Sequence, residues 1–126
     1  MDTTIKSILS RWRSDPAIAE NVVEWRLLAQ KPAETCPIPA TLSAGLATYL
    51  QTHGIPSLYN HQCQAYERAM AGSNIAIVSG TASGKTLCYN LPVLDSLVKQ
   101  PNGSALFLFP TKALAQDQLV LLREMT

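Results

Sequence analysis

One stretch restricts what this chain can fold into more than any other: Ser79-Gly80-Thr81-Ala82-Ser83-Gly84-Lys85-Thr86. Before it lies a short β-branched run, Asn74-Ile75-Ala76-Ile77-Val78, bounded by the turn-forming pair Gly72-Ser73. After it, Leu87, Leu91, Leu94 and Val98 recur at helical spacing. A strand, a loop of small residues ending Gly-Lys-Thr, and a helix together form the context of a phosphate-binding loop. Small side chains from Gly80 through Thr81, Ala82, Ser83 and Gly84 let the backbone N–H groups curl around phosphate oxygens. The helix that begins near Gly84 adds its unpaired N–H groups and the positive end of its dipole. Lys85 carries a charge to the β- and γ-phosphates, and the Thr86 hydroxyl is a ligand for Mg²⁺. The strict pattern has glycine where this chain has Ser79; serine is small, and Gly80 beside it supplies backbone freedom. A chance Gly-Lys-Thr in a loop would leave the flanking strand and helix unexplained.

At 126 residues the chain has the size of one small domain. With 47% hydrophobic and 15% charged residues it is globular rather than disordered. The net charge of +1 gives no basic field for nucleic acid as a whole, so any such contact is local. Cys36, Cys63 and Cys88 are odd in number and lack metal-ligand spacing, and they read as reduced core thiols of a cytosolic protein. The start, Met1-Asp2-Thr3-Thr4, has no basic leader segment, and no apolar run approaches membrane-spanning length. The expected location is cytoplasmic, with no membrane partner.

Taken in order, residues 3–13 read as an amphipathic helix with Ile5, Ile8, Leu9 and Trp12 on one face. Asp15 is a helix N-cap and Pro16 a first helical residue. Residues 22–28 suit either a strand or an extended arm, and the prolines at 32, 37 and 39 mark an irregular linker. Trp12 and Trp25 read as packing anchors rather than a binding surface. Leu42, Leu46, Tyr49 and Leu50 define a helix ending near His53-Gly54. A second helix starts near Asn60, read as its N-cap, and runs through Cys63, Tyr66 and Met70 to Gly72. Pro92 sits two turns into the helix after the phosphate loop, where a kink or early break is expected. Pro101-Asn102-Gly103 closes that helix, and Ala105-Leu106-Phe107-Leu108-Phe109 reads as a strand buried on both faces of a parallel sheet. A last helix follows Pro110-Thr111-Lys112 and carries Leu114, Leu121 and Met125. The fold class is therefore α/β: a parallel sheet with flanking helices, in which the loops after both strands lie at the ligand-binding edge.

Three segments now stand in order: Leu58-Tyr59-Asn60-His61-Gln62, residues 79–86, and Phe109-Pro110-Thr111-Lys112-Ala113-Leu114-Ala115-Gln116-Asp117-Gln118. Their order and spacing resemble the Q motif, motif I and motif Ia of superfamily 2 helicases of the DEAD/DEAH-box type. The wording of the last two is similar to the Hrq/MrfA-type DNA helicases, which resemble the RecQ-like repair helicases in role and carry a C-terminal zinc-binding region. The resemblance implies a partial RecA-like domain over residues 55–126, preceded by a mostly helical extension over 1–54. It also implies ATP and Mg²⁺ as cofactors, with Lys85 and Thr86 as catalytic residues. Gln62 matches the glutamine that pairs with the adenine edge, and a carboxamide can donate to N7 while accepting from N6. Otherwise Gln62 is an ordinary exposed residue. Tyr59 takes the place of an aromatic residue near adenine, or is core; His61 beside it receives no catalytic role. Pro110, Thr111 and Lys112 match the segment that touches the nucleic-acid backbone, a phosphate contact without base readout. On the plainer reading Thr111 caps its helix and Lys112 is solvated. The residues themselves suit DNA and RNA alike; DNA is what the resemblance implies.

A helicase of this kind also needs an Asp-Glu box and a second RecA-like domain with an arginine finger. Asp95, Asp117 and Glu124 lie on helices, and none ends an apolar strand as a metal-holding aspartate would. The expectation is an N-terminal piece of an ATP-dependent DNA helicase, inactive alone and completed by the rest of the enzyme. The alternatives are a piece of another phosphate-loop NTPase or kinase, and a non-catalytic nucleotide-binding fragment. A kinase gives no reason for Gln62 upstream or for residues 110–118 after the next strand.

Overall fold

The computed structural model describes residues 4–26, 32–81 and 83–126. The chain divides into two compact units, residues 1–32 and 33–126. In the first, α1 (Ile5–Ser14) and α2 (Pro16–Ala19) follow one another. Asp15 caps α2 as expected, its Oδ1 accepting from the Ala17 N–H at 3.0 Å. The predicted apolar face of α1 is only partly covered: Ile8 and Leu9 are half-buried, Ile5 and Trp12 are exposed, and no α1 residue is buried. Trp25 instead lies under the Arg13 guanidinium, 5.1 Å from the ring centroid. The residues described between 22 and 26 form no strand, and residues 27 and 28 lie outside the described residues.

The second unit runs β1 (Thr35–Pro37), α3 (Ala44–Thr52), β2 (Ser57–Tyr59), α4 (Asn60–Met70), α5 (Lys85–Lys99) and α6 (Lys112–Met125). β1 and β2 pair antiparallel, Cys36 opposite Leu58. So part of the proline-bearing linker is a strand: Pro37 falls in β1, which among the described residues pairs with β2 alone, so no second neighbour there needs its missing N–H. α3 stops where expected, at Gly54 with φ +72°. α4 is capped by Tyr59 rather than Asn60, because β2 runs straight into it. α5 continues through Pro92 to Lys99, so the expected early break does not occur. Proline removes one backbone bond there, but Pro92 is buried and its own carbonyl accepts from Ser96 Oγ at 2.7 Å.

Leu42, Leu46 and Leu50 meet Leu58 of β2, Cys63 and Tyr66 of α4, Leu91 and Leu94 of α5, and Met125 of α6 in one core. Val98 drops off the predicted α5 face and is 58% exposed. The cysteines also divide differently from expectation. Cys36 of β1 and Cys63 of α4 are joined as a disulfide with Cα atoms 6.8 Å apart, and Cys88 alone is free and buried. Their 27-residue separation conceals a proximity that only the packing of β1 beside α4 creates.

Residues 74–78 and 105–109, read as strands of a parallel sheet, form no ladder; among the described residues the sheet has two strands, β1 and β2. Their alternation survives, with Ile75, Ile77, Phe107 and Phe109 half-buried between exposed neighbours. Residues 105–109 are therefore covered on one face and not on both: Leu106 and Leu108 are each 82% exposed. A central strand needs hydrogen-bonding neighbours on both sides, and the described residues supply none.

Candidate nucleotide-binding site

The loop from Ser79 to the first turn of α5 closes on its own lysine. Lys85 Nζ donates to Ser79 O at 3.1 Å, to Ser79 Oγ and Ser83 Oγ at 3.2 Å each, and to Gly80 O. Ser79, the residue that departs from the glycine pattern, is thus part of the cradle, and its hydroxyl also meets Ser83 Oγ at 2.6 Å. The ammonium sits among oxygens that a phosphate can replace, and Thr81 of the same loop is exposed. Ala82 falls outside the described residues. Gly84 caps α5 with φ +74° and ψ 26°, a conformation in which only glycine is unstrained. A Cβ there would also lie 2.5 Å from Gln62 Nε2 and 3.8 Å from the Tyr59 ring.

The first turn of α4 is fastened to this loop by two adjacent side chains. His61 Nε2 lies 2.9 Å from Ser83 O, and since a carbonyl only accepts, Nε2 carries the proton. Gln62 Nε2 donates to Gly84 O at 2.9 Å, while Gln62 Oε1 accepts from the Tyr59 N–H at 2.9 Å. Gln62 is 3% exposed, so it is not an ordinary surface glutamine. Each of its amide groups is half used: one N–H and one lone pair remain. Tyr59 is 44% exposed and stacks on His61 at 5.7 Å between centroids, which makes it a rim residue rather than core. His61, given no role from sequence, is thereby a structural member of the site, and its place beside Gln62 was the available signal.

A cavity of about 490 Å³ is lined by Ile75, Ile77, Lys85, Thr86 and Tyr89 on one side and by Leu114 and Gln118 of α6 on the other. Tyr89 Oη donates to Gln118 Oε1 at 3.1 Å across it. The helix after the phosphate loop and the helix after Pro110-Thr111-Lys112 therefore face one space. Pro110, Thr111 and Lys112 are all exposed. Thr111 caps α6, its Oγ1 accepting from the Leu114 N–H at 3.2 Å, and keeps its own O–H to donate. Lys112 touches none of the loop residues through a hydrogen bond or ion pair among the described residues.

A buried carboxylate, read from sequence as no metal-holding aspartate, lies further along α5. Asp95 of α5 has no solvent exposure; its Oδ2 accepts from Tyr66 Oη at 2.6 Å and Lys99 Nζ at 2.6 Å, and its Oδ1 from the Ser43 N–H at 2.8 Å. Lys99 Nζ also donates to Thr41 O at 2.7 Å. The i,i+4 pair Asp95–Lys99 was visible in sequence, but its partners 29 and 52 positions away were not.

The sequence pattern of the DEAD/DEAH box helicase family matches residues 59–126. The uncharacterized ATP-dependent helicase YprA of Bacillus subtilis is 45% identical over 119 residues, covering 94% of this chain and 16% of that protein. The ATP-dependent helicase HRQ1 of Saccharomyces cerevisiae is 45% identical over 62 residues, 49% of this chain and 6% of that protein. Among solved structures, the DUF1998 helicase MrfA bound to DNA and AMPPNP superposes with a TM-score of 0.83 at 41% identity, over 97% of this chain and 17% of MrfA. The chain thus spans about one sixth of YprA and of MrfA. The likeness to MrfA makes the fold that of part of a RecA-like helicase domain, of the Hrq/MrfA type. Since the family match opens at Tyr59, passes through the phosphate loop and ends in α6, taking in more than half of the sequence, the chain belongs to the DEAD/DEAH box helicase family.

Proposed function

We propose that this chain is the ATP-binding and nucleic-acid-contacting segment of an ATP-dependent DNA helicase. The observation that carries the proposal is the fastening of Gln62 and His61 to the carbonyls of Gly84 and Ser83. One helix turn and one phosphate loop then form a single site with a base-reading group at one end and a phosphate-binding group at the other. Lys85 exchanges its loop oxygens for those of the β- and γ-phosphates, and the N–H groups from Gly80 to Gly84 and the first turn of α5 hold the same oxygens. Gln62, with one donor and one acceptor left, reads the adenine edge, and Tyr59 at the rim covers the base. Thr86, on the cavity wall beside Lys85, is the protein ligand for Mg²⁺. Mg²⁺ supplies charge neutralisation of the phosphates.

Pro110, Thr111 and Lys112 contact the backbone of DNA, whose phosphates suit an exposed lysine and hydroxyl at a helix N-terminus. The MrfA structure with DNA and AMPPNP is of a relative that binds both kinds of ligand. In this reading residues 55–126 open the RecA-like domain and residues 1–54 form its N-terminal extension. Residues 74–78 and 105–109 become parallel strands when further strands flank them, and the Asp-Glu box and arginine finger come from the remainder of the enzyme. The test is ATP hydrolysis by the full-length polypeptide containing these residues. Single-stranded DNA is expected to stimulate turnover, and Lys85→Ala to abolish it; undiminished turnover in that variant overturns the proposal.

A further inference from the structure

The geometry points to Asp95 as a positioning residue that, through Tyr66, holds Gln62 in the register needed to select adenine over guanine. The inference rests on the proposed role of Gln62 as the base-reading group.

Asp95 lies ten residues beyond Lys85, about 15 Å along α5 at 1.5 Å per residue, so it touches no part of a nucleotide in the loop. Its influence runs through α4. Gln62 and Tyr66 are four residues apart on that helix and lie on one face. The same face meets α5 twice: Gln62 at Gly84 O and Tyr66 at Asp95 Oδ2. One turn further, Met70 Sδ accepts from Ser96 Oγ at 3.7 Å. A slide or roll of α4 on α5 therefore moves the Gln62 and Tyr66 contacts together. The shared apolar core, with Leu91 and Leu94 from α5 and Cys63 from α4, holds the helices together but tolerates small slides. A hydrogen bond to an ionised carboxylate is short and directional, and this one, with Tyr66 1% exposed, has no water to replace it. Asp95 is itself held by Lys99 and by the Ser43 N–H that opens α3, so the anchor does not follow α4 when α4 moves.

Register matters to base choice because the Gln62 amide cannot turn over. Its oxygen is pinned by the Tyr59 N–H and its nitrogen by Gly84 O. Guanine offers two acceptors on this edge, N7 and O6, so a simple flip only moves the clash to N7. A free carboxamide can swing its NH2 between the two acceptors, whereas a pinned one meets O6 with its own oxygen and rejects guanine. Adenine offers an N6–H donor at that place and is accepted. Selectivity thus depends on both pins keeping good geometry, and hydrogen bonds weaken steeply once misaligned.

In the full-length polypeptide, Tyr66→Phe removes one hydroxyl and leaves the ring in the core. KM and kcat for ATP and GTP are measured together with Tm, and Asp95→Asn is a second variant should the first fold poorly. The expected result is a KM for ATP raised about three- to tenfold, a narrowed ATP/GTP ratio of kcat/KM, and kcat for ATP little changed. In Gln62→Ala, which has lost the reading group, Tyr66→Phe is expected to narrow the ratio no further. A lowered Tm with the ATP/GTP ratio intact in both Tyr66→Phe and Asp95→Asn means the contact is structural only, and overturns the inference while the role of Gln62 stands. An intact ratio in Gln62→Ala overturns both.

Discussion

Asp95 is fully buried and yet held ionised. Burial pushes its carboxyl up, but hydrogen bonds from Lys99, Tyr66 and the Ser43 backbone outweigh that and leave it below the ordinary carboxylate range. Tyr66 is raised, first by burial and then by its bond to Asp95. The signs set a pH window. A carboxyl depressed by folding stabilises above its unfolded pKa, about 4, and loses that contribution as pH falls through the lower folded value. A phenol raised by folding stabilises below its unfolded pKa, about 10, and loses it as pH rises through the higher folded one. The Tm difference between the parent and Asp95→Asn, followed by calorimetry, is therefore expected to stay level from about pH 5 to 9 and shrink below about pH 4. A difference that grows on acidification contradicts the ionised carboxylate. Lys85, Thr86, Gln62 and Gly84 stand out in the sequence because the pattern that singles them out is local to a motif. Asp95 was not, because the hydroxyl and N–H that make it a hub arrive from elements far off in sequence.

At the scale of elements, α4 and α5 are the pair on which the site is built, and Leu91 of α5 lies in the core they share. It has no solvent exposure and packs among Leu46, Leu50, Leu58 and Tyr66. Leu91→Ala is expected to cost about 2–5 kcal/mol, read from denaturant midpoints, because lost transfer energy and a residual cavity add. A loss below 1 kcal/mol would mean that the core collapses into the space. Helix positions were readable from periodicity and from stop signals such as Gly54 and Gly103. Both turn as expected, Gly103 with its N–H on Gln100 O at 2.8 Å. Elements of three residues, β1 and β2, were not readable, since their pairing is decided by a partner 20 or more positions away. The uninterrupted course of α5 through Pro92 has the same origin: the core around Pro92 offsets what local propensity opposes.

For the whole molecule, the exposed apolar runs matter most. Val78 is 97% exposed, and Leu106 and Leu108 are each 82% exposed, on segments that form no ladder among the described residues. Such segments pair with whatever strand is available. Residues 1–126 alone are expected to gain mass with concentration in light scattering, over on the order of 10–100 µM, and to show no multiple-turnover ATP hydrolysis. A strictly monomeric, catalytically competent preparation contradicts both expectations. By itself the sequence determined the helical segments and the family and carried the phosphate-loop pattern, because each is written in residues close together along the chain. Only the tertiary structure decided that Gln62 is buried and pinned, that Ser79 belongs to the cradle, that Cys36 meets Cys63, and that Asp95 ties three helices together. Those features depend on which distant surfaces bury one another, and a buried polar group takes its meaning from partners that packing alone brings within 3 Å.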